Sequence, residues 1–319
     1  MTLRKTGVLA ALLLSATLTG GWTLPGGGDY AFEAISEKVH VMHGPLTEPT
    51  PGNLGFMNNP GMIESANGVI IIDPGSTKQV GEQVLAEVRK ITNKPVLAIF
   101  NTHIHGDHWL GNQAFRQAFP KVKIYGHPKM IERAKGNDGL SWVEIMNTLT
   151  KGLSKGTTVI APDHPLKGGA TVKIDGETFR AHHLSNAHTN SDIMVEHVES
   201  KTLFLGDNGF QKRMGRFEES GDMHGNIKAL QYARDLKMTT YVPGHGKSGP
   251  ADQALIPFLS YLEKLRDGVT KGYRAEKEGH EIKKDIEAQF NDYKSWSGFD
   301  SNFGRHINKM YLEVEALEF

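Results

Sequence analysis

Apolar positions along the chain follow two rhythms. Short runs such as KVHVMHG, GVIIIDPGS, PVLAIF (Pro95 to Phe100) and VKIYGHPK predict strands, and continuous apolar runs suit strands covered on both faces. Helical spacing appears in KQVGEQVLAEVRKI, in WLGNQAFRQAF, in NIKALQYARDL and in the long ALIPFLSYLEKLRDGVTKGYRAEKEG. The stripe Leu255, Phe258, Leu262, Leu265 and Val269 in the last of these predicts a core-facing side. Further strands are expected at TVKIDGETFRAHHL, SDIMVEHVES and KTLFLGDNGF, the last two joined as a hairpin, and TTYVPGHG reads as strand then turn. KKDIEAQFNDY and RHINKMYLEVEAL add two helices at the end. The order is sheet, helix, sheet, helix, which predicts a layered α/β architecture with helices covering the sheets.

Between these elements the composition changes. WTLPGGGDY is Gly-rich, so residues 22–37 are expected to form a flexible leader. The Pro- and Gly-rich stretch from Gly44 to Gly61 predicts a long loop, and a long loop in a compact enzyme suits a substrate flap. The Gly-interrupted IERAKGNDGLSWVEIMNTLTKGLSKG has partly helical character and is read as pocket wall.

At 319 residues and 38% hydrophobic content the chain can bury a large core. Its 36 basic and 36 acidic side chains cancel, so neither nucleic acid nor an anionic membrane surface is implied as a partner. MTLRKTGVLAALLLSATLTGG has the basic start, short apolar stretch and small residues of a signal peptide over 1–21, cleaved near Gly20 or Gly21. A periplasmic or secreted protein with no membrane anchor after cleavage is the expectation. Cysteine is absent, which excludes disulfides, thiolate metal sites and cysteine nucleophiles.

The chemistry concentrates in NTHIHGDHWLGN, Asn101 to Asn112. Imidazole and carboxylate hold divalent metals near neutral pH, so His103, His105, Asp107 and His108 read as a metal cradle. On an extended segment His103, His105 and Asp107 would project to one face, and Gly106 would let the chain turn His108 toward them. Three later residues end strand-like runs or sit in the loops after them: His188 in LSNAHTNSD, Asp207 in TLFLGD and His245 in YVPGHG.

IIIDPGS, THIHGDHWLGN, AHTNSD, FLGD and VPGHG, in this order from Lys38 to Lys247, make the chain resemble the metallo-β-lactamase-fold hydrolases. The resemblance implies a four-layer αβ/βα sandwich over 38–250, with 251–319 as an added helical extension. It implies one metal at His103, His105 and His188, a second at Asp107, His108 and His245, and a bridge at Asp207. Asp73 matches a residue that orients a ligand histidine. Two zinc ions are expected, with iron or manganese able to compete because the bridge is oxygen rather than sulfur. An aspartate bridge resembles the thioesterase and phosphodiesterase branches, such as glyoxalase II, and exported hydrolases related to sulfur-oxidation and quinoprotein operons. The basic anchor usual in β-lactamases is replaced by Phe210. Lys212 and Arg213, with Arg216, are expected to hold a substrate carboxylate, His182 and His183 to line the pocket, and Trp109 to pack. The expected activity is hydrolysis of an ester, thioester, lactone or lactam in a small molecule, with Asp107 orienting the attacking water and carrying its proton. The alternatives are a single-iron persulfide dioxygenase and a non-catalytic metal-binding protein.

Overall fold

The computed structural model describes residues 22–24, 26 and 29–318. The segment read as a signal peptide lies outside them. Strands β1 (Trp22–Thr23) and β2 (Asp29–Tyr30) pair with each other. A seven-stranded sheet contains β3 (Glu33–Ala34), β4 (Val39–Val41), β5 (Gly61–Glu64), β6 (Val69–Ile72), β7 (Val96–Phe100), β8 (Lys123–Gly126) and β9 (His164–Pro165), neighbours in chain order. A five-stranded sheet contains β10 (Thr171–Ile174), β11 (Glu177–His182), β12 (Met194–His197), β13 (Thr202–Phe210) and β14 (Thr240–His245), again in chain order.

Strand β6 shows how the layers form. All four residues are buried, and alternation sends them to two cores. Ile70 and Ile72 meet Phe179, Ala181, Val195 and Phe204 of the facing sheet. Val69 and Ile71 meet Val80, Val84 and Val88 of α1 (Lys78–Ile91), beyond which lies Phe115. Each such side chain contributes roughly 1.5–3 kcal/mol of burial. Thr77 caps α1 by accepting a hydrogen bond from the Val80 N–H.

Five more helices complete the first half and the crossover: α2 (Gly106–Trp109), α3 (Asn112–Ala118), α4 (Pro128–Lys135), α5 (Asn137–Leu149) and α6 (Met223–Asp235). The chain closes with α7 (Ala251–Ala254), α8 (Ile256–Arg274), α9 (Gly279–Ile286), a 3₁₀ segment Glu287–Tyr293 and α10 (Phe299–Glu318). The stripe Leu255, Phe258, Leu262, Leu265 and Val269 lies in one core with Leu203, Leu205 and Tyr241 of the second sheet and Ile307, Met310 and Val314 of α10. The result is helix, sheet, sheet, helix, with extra C-terminal helices on the outer face of the second sheet.

The leader expected to be flexible is paired instead. Leu24 is buried, Tyr30 and Phe32 pack against the core around α1, and β3 adds an edge strand beside β4. Three apolar side chains outweigh the local glycine content. Among the described residues no helix is long and apolar enough to cross a membrane.

Candidate metal centre

The strand ends of both sheets converge on one edge. His103 follows β7, His188 lies in the loop between β11 and β12, and His245 ends β14. Asp207 sits inside β13, where the register with β14 shifts between Gly206 and Phe210. That irregularity re-aims the carboxylate out of the ladder. Gly244, beside it on β14, is required by space, because a Cβ there would overlap Asp207 Oδ1.

Gly106 does more than turn the chain: it opens the single-turn helix α2, which carries both Asp107 and His108. Asp107 therefore does not share a face with His103 and His105, as an extended segment would require. Helical geometry groups Asp107 and His108 with His245, while His103, His105, His188 and Asp207 form a second group, each with ligand atoms within 4.8 Å of one another. Asp207 belongs to both. Its Oδ2 lies 3.8 Å from His103 Nε2 and 3.5 Å from His188 Nε2, and its Oδ1 lies 3.0 Å from His108 Nε2 and 3.3 Å from His245 Nε2. Asp107 Oδ2 is 3.3 Å from both His108 Nε2 and His245 Nε2.

These separations suit divalent cations. Ligands about 2.0–2.1 Å from a tetrahedral ion stand about 3.4 Å from one another, and the distances above scatter around that value. His103 Nε2, His108 Nε2 and Asp207 Oδ1 are buried without a hydrogen-bond partner, each at a cost of about 1–3 kcal/mol that a cation would remove.

Hydrogen bonds behind the ligands fix which nitrogen faces inward. Asp73 Oδ2 accepts from His108 Nδ1 at 2.8 Å and from the Thr102 hydroxyl at 2.7 Å, and Oδ1 accepts from the Thr102 N–H at 2.8 Å. Since the Thr102 proton goes to Asp73, its oxygen accepts from His103 Nδ1 at 3.0 Å. His245 Nδ1 donates to the Met57 carbonyl at 2.8 Å. All three rings are thereby held with the Nε2 lone pair toward the centre. Asp73 occupies the left-handed region at φ 49°, which asparagine and aspartate tolerate best among non-glycine residues.

His105 is held differently. Its Nε2 donates to Glu218 Oε1 at 3.0 Å, leaving Nδ1 3.0 Å from His188 Nε2. Arg133 in turn grips Glu218 Oε2 at 2.9 Å and Asp138 at 2.5 Å. Burial resists ionisation of Glu218, but the bonds from His105 and Arg133 hold its pKa well below the usual carboxylate range. The rest of the centre is polarised in the same way. Burial opposes charge on Asp207 and Asp107, yet the surrounding histidines keep both far below ordinary values. Burial lowers His188 to about 3. His108 is raised despite its burial by Asp207, Asp107 and Asp73.

The centre floors a cavity of about 950 Å³, lined also by Glu48, Pro49 and Met57 of the 44–61 loop. Arg213 lines it too, but its guanidinium is committed to the Leu46 and Thr47 carbonyls and to Glu48, so it ties down that loop rather than awaiting a carboxylate. Lys212 is exposed, does not line the cavity and stands at φ 54°, so the turn directs successive residues to different sides. Arg216 does line the cavity. His182 binds Glu196 and Tyr232, and His183 binds the Asp192 carbonyl, so neither reaches it. Trp109 is fully buried, its indole N–H on the Ile104 carbonyl. Arg133 and Trp142, whose ring centroid is 5.0 Å from that of His105, fall in the stretch read as pocket wall and do line the cavity, but neither was singled out there, and nothing in the sequence pattern pointed to Glu218 or to the role of Thr102.

Two other His-and-carboxylate groups have structural partners already. In the one formed by Glu177, His197 and Glu199, Lys38 reaches Glu177 at 2.6 Å; in the one formed by Asp222, His224 and Glu313, Glu313 accepts from the first N–H groups of α6.

The family model for the metallo-beta-lactamase superfamily matches residues 53–245, a span that holds all seven clustered residues and Asp73. The chain belongs to this superfamily. A linear primary-alkylsulfatase of Pseudomonas sp. (strain ATCC 19151) is 31% identical over 166 residues, covering 46% of this chain and 31% of that protein. A hydroxyacylglutathione hydrolase of Synechococcus sp. (strain JA-2-3B'a(2-13)) is 28% identical over 187 residues, covering 59% and 60%. The chain thus spans less than two thirds of the length of these relatives. Among solved structures, a metallo-beta-lactamase from Pontibacter korlensis superposes with a TM-score of 0.57 at 20% identity over 74% of this chain and 99% of that one. The metallo-beta-lactamase IND-7 gives 0.58 at 20% identity, covering 74% and 98%. These likenesses show the shared fold.

Proposed function

We propose that the protein is an exported, two-metal hydrolase of a small molecule, cutting an ester or cyclic amide bond: a carboxylic ester, thioester, lactone, lactam or sulfate ester. The observation that carries the reading is Asp207, whose two oxygens face the two histidine groups separately. Zinc fits the nitrogen and oxygen donors, and the oxygen bridge leaves iron or manganese as competitors. When bound, the pair of cations supplies a nucleophilic hydroxide near neutral pH and a Lewis acid for the substrate oxygen.

The chain's own residues do the rest. His103, His105 and His188 would hold one cation and Asp107, His108 and His245 the other, with Asp207 placed to serve both. Asp107 lines the cavity and touches both histidines of its group through Oδ2; we assign it the orientation of the attacking water and the transfer of its proton toward the leaving group. Thr102 and Asp73 keep His103 and His108 in the ligating tautomer. The similarity to a hydroxyacylglutathione hydrolase and to an alkylsulfatase supports hydrolysis without selecting between thioester and sulfate ester. The second histidine group, complete in Asp107, His108 and His245, weighs against the single-iron oxygenase alternative. Export rests on the amino-terminal pattern over 1–21.

Metal analysis of protein recovered from the periplasm, followed by kinetics on nitrocefin, an acyl-homoserine lactone, a glutathione thioester, an aryl ester and an alkyl sulfate, tests the proposal. Two metals per chain and turnover of at least one class are expected. A fully metal-loaded protein inert to all five would overturn it.

A further inference from the structure

The cavity carries chemistry beyond the clustered histidines and aspartates. Helix α5 turns Trp142, Ile145, Met146 and Leu149 into it, a spacing of i, i+3, i+4, i+7 that makes one continuous stripe. Four of the nine exposed large hydrophobic side chains among the described residues, Leu140, Ile145, Leu149 and Leu153, lie in α5 or the turn after it. Ile145 and Leu149 are 41% and 43% exposed, so they add little to the core, and an apolar stripe left open beside a polar centre marks a binding surface. The Trp142 ring lies against His105, tilted 54° to it, so the stripe begins at the centre itself.

A second wall is cationic. The Phe217 ring lies 5.4 Å from His188 and 5.4 Å from His306 on α10. Arg216 precedes Phe217 and Arg305 precedes His306, and both line the cavity. Arg133 is neutralised by Glu218 and Asp138, and Arg213 by Glu48. Arg216 and Arg305 have no hydrogen-bond or ion-pair partner among the described residues, and the one lining carboxylate likewise without a partner is Glu219, so positive charge remains in excess on this wall.

We infer that the site takes an anionic amphiphile, with a chain of several carbons along the α5 stripe, the scissile bond at the metal centre and an acidic group at Arg216 and Arg305. The hydrolase reading supplies the bond that is cut; the binding geometry stands apart from it.

Calorimetric titration of the metal-loaded chain with octanoate, octanamide and acetate separates the terms. Octanoate is expected to bind at least about tenfold more tightly than either comparator, the chain and the charge each contributing. Replacing Arg216 and Arg305 together by alanine should remove the preference over octanamide, and Ile145→Ser with Leu149→Ser the preference over acetate. All four side chains are exposed or partly exposed, so the core is left intact, and unchanged circular dichroism verifies this. Equal affinity for octanoate and acetate, or an octanoate preference untouched by the double arginine variant, would overturn the inference, because the carboxylate would then be held by the metals alone. Octanoate bound as described by a protein that hydrolyses none of the five bond classes supports the amphiphile site while the hydrolase reading fails. Turnover of short neutral esters as fast as long anionic ones overturns the site while the hydrolase reading holds.

Discussion

Asp73→Asn isolates the charge behind both metal groups. Asparagine has the same shape and accepts the left-handed backbone at φ 49°, so the perturbation is confined to the three hydrogen bonds at 2.7–2.8 Å that the carboxylate accepts. With its oxygen at the Oδ2 position the amide still accepts from His108 and Thr102, but its NH₂ then opposes the Thr102 N–H. The opposite flip fails at two donors instead of one, so the first arrangement is adopted. One unsatisfied buried N–H costs about 1–3 kcal/mol of stability. A neutral acceptor also makes the His108 ring a poorer ligand, and loss of such an outer partner weakens metal binding about 10–100-fold. Competition against a chromophoric zinc chelator reads the two binding steps. The His108 group should weaken more than the His103 group, because it contacts Asp73 directly and the other only through the Thr102 hydroxyl. Thr102→Val supplies the contrast, weakening the His103 group alone. Uptake of both equivalents by Asp73→Asn with unchanged affinity, or identical profiles for the two variants, would refute the reasoning.

Three further perturbations test separate parts of the structure. Gly244→Ala drives a methyl group into Asp207, so it should reduce bound zinc to at most one equivalent and lower turnover by at least about a hundredfold; two tightly bound equivalents would contradict the bridging geometry. Glu218→Gln keeps an acceptor for His105 but loses the charge gripped by Arg133, and should weaken the His103 group about tenfold while sparing the His108 group, as read by the same chelator competition. Burial lowers His306 from 6.5 to about 4, against the opposing pull of the Gly215 carbonyl. The unfolded chain therefore takes up a proton first, and the stability this histidine confers is full above about pH 6.5 and is lost as pH falls toward 4, by up to about 3 kcal/mol. His306→Gln should show a smaller drop in urea midpoint between pH 7 and pH 5 than the unaltered chain, and parallel pH dependences would exclude the assignment.

Which features were legible in the amino-acid sequence depends on how local their causes are. His103, His105 and His108 lie within six residues, and His188, Asp207 and His245 stand in or soon after strand-like runs, so residue type and position sufficed to gather them, although Asp207 lies inside β13 rather than at its end. The direction of Asp107 was not legible, because alternation presumes an extended backbone and Gly106 starts a helical turn there. Lys212 and Arg213 differ in the same way: adjacent and alike in charge, one is exposed and the other is buried against the 44–61 loop. Glu218 escaped notice because its partner His105 is 113 residues away, and only the packed positions of α4 and the segment after β13 bring Arg133, Glu218 and His105 together.

The C-terminal helices show the same limit acting on function. The periodic stripe of α8 announced a core face, and Leu255, Phe258, Leu262, Leu265 and Val269 are indeed buried in one core with residues of the second sheet, where Phe303 and Ile307 of α10 join them. Periodicity says nothing about the opposite side of α10, where Ser301, Asn302 and Arg305 reach the cavity. Asn302 Nδ2 donates to the Met214 carbonyl and His306 Nε2 to the Gly215 carbonyl, so α10 also fixes the start of the segment that carries Arg216, Phe217 and Glu218. Because Glu218 orients His105, an element that reads as a structural appendage governs both a wall of the cavity and one ligand of the centre. Shortening the chain before α10 should therefore disturb metal binding at the His103 group as well as stability.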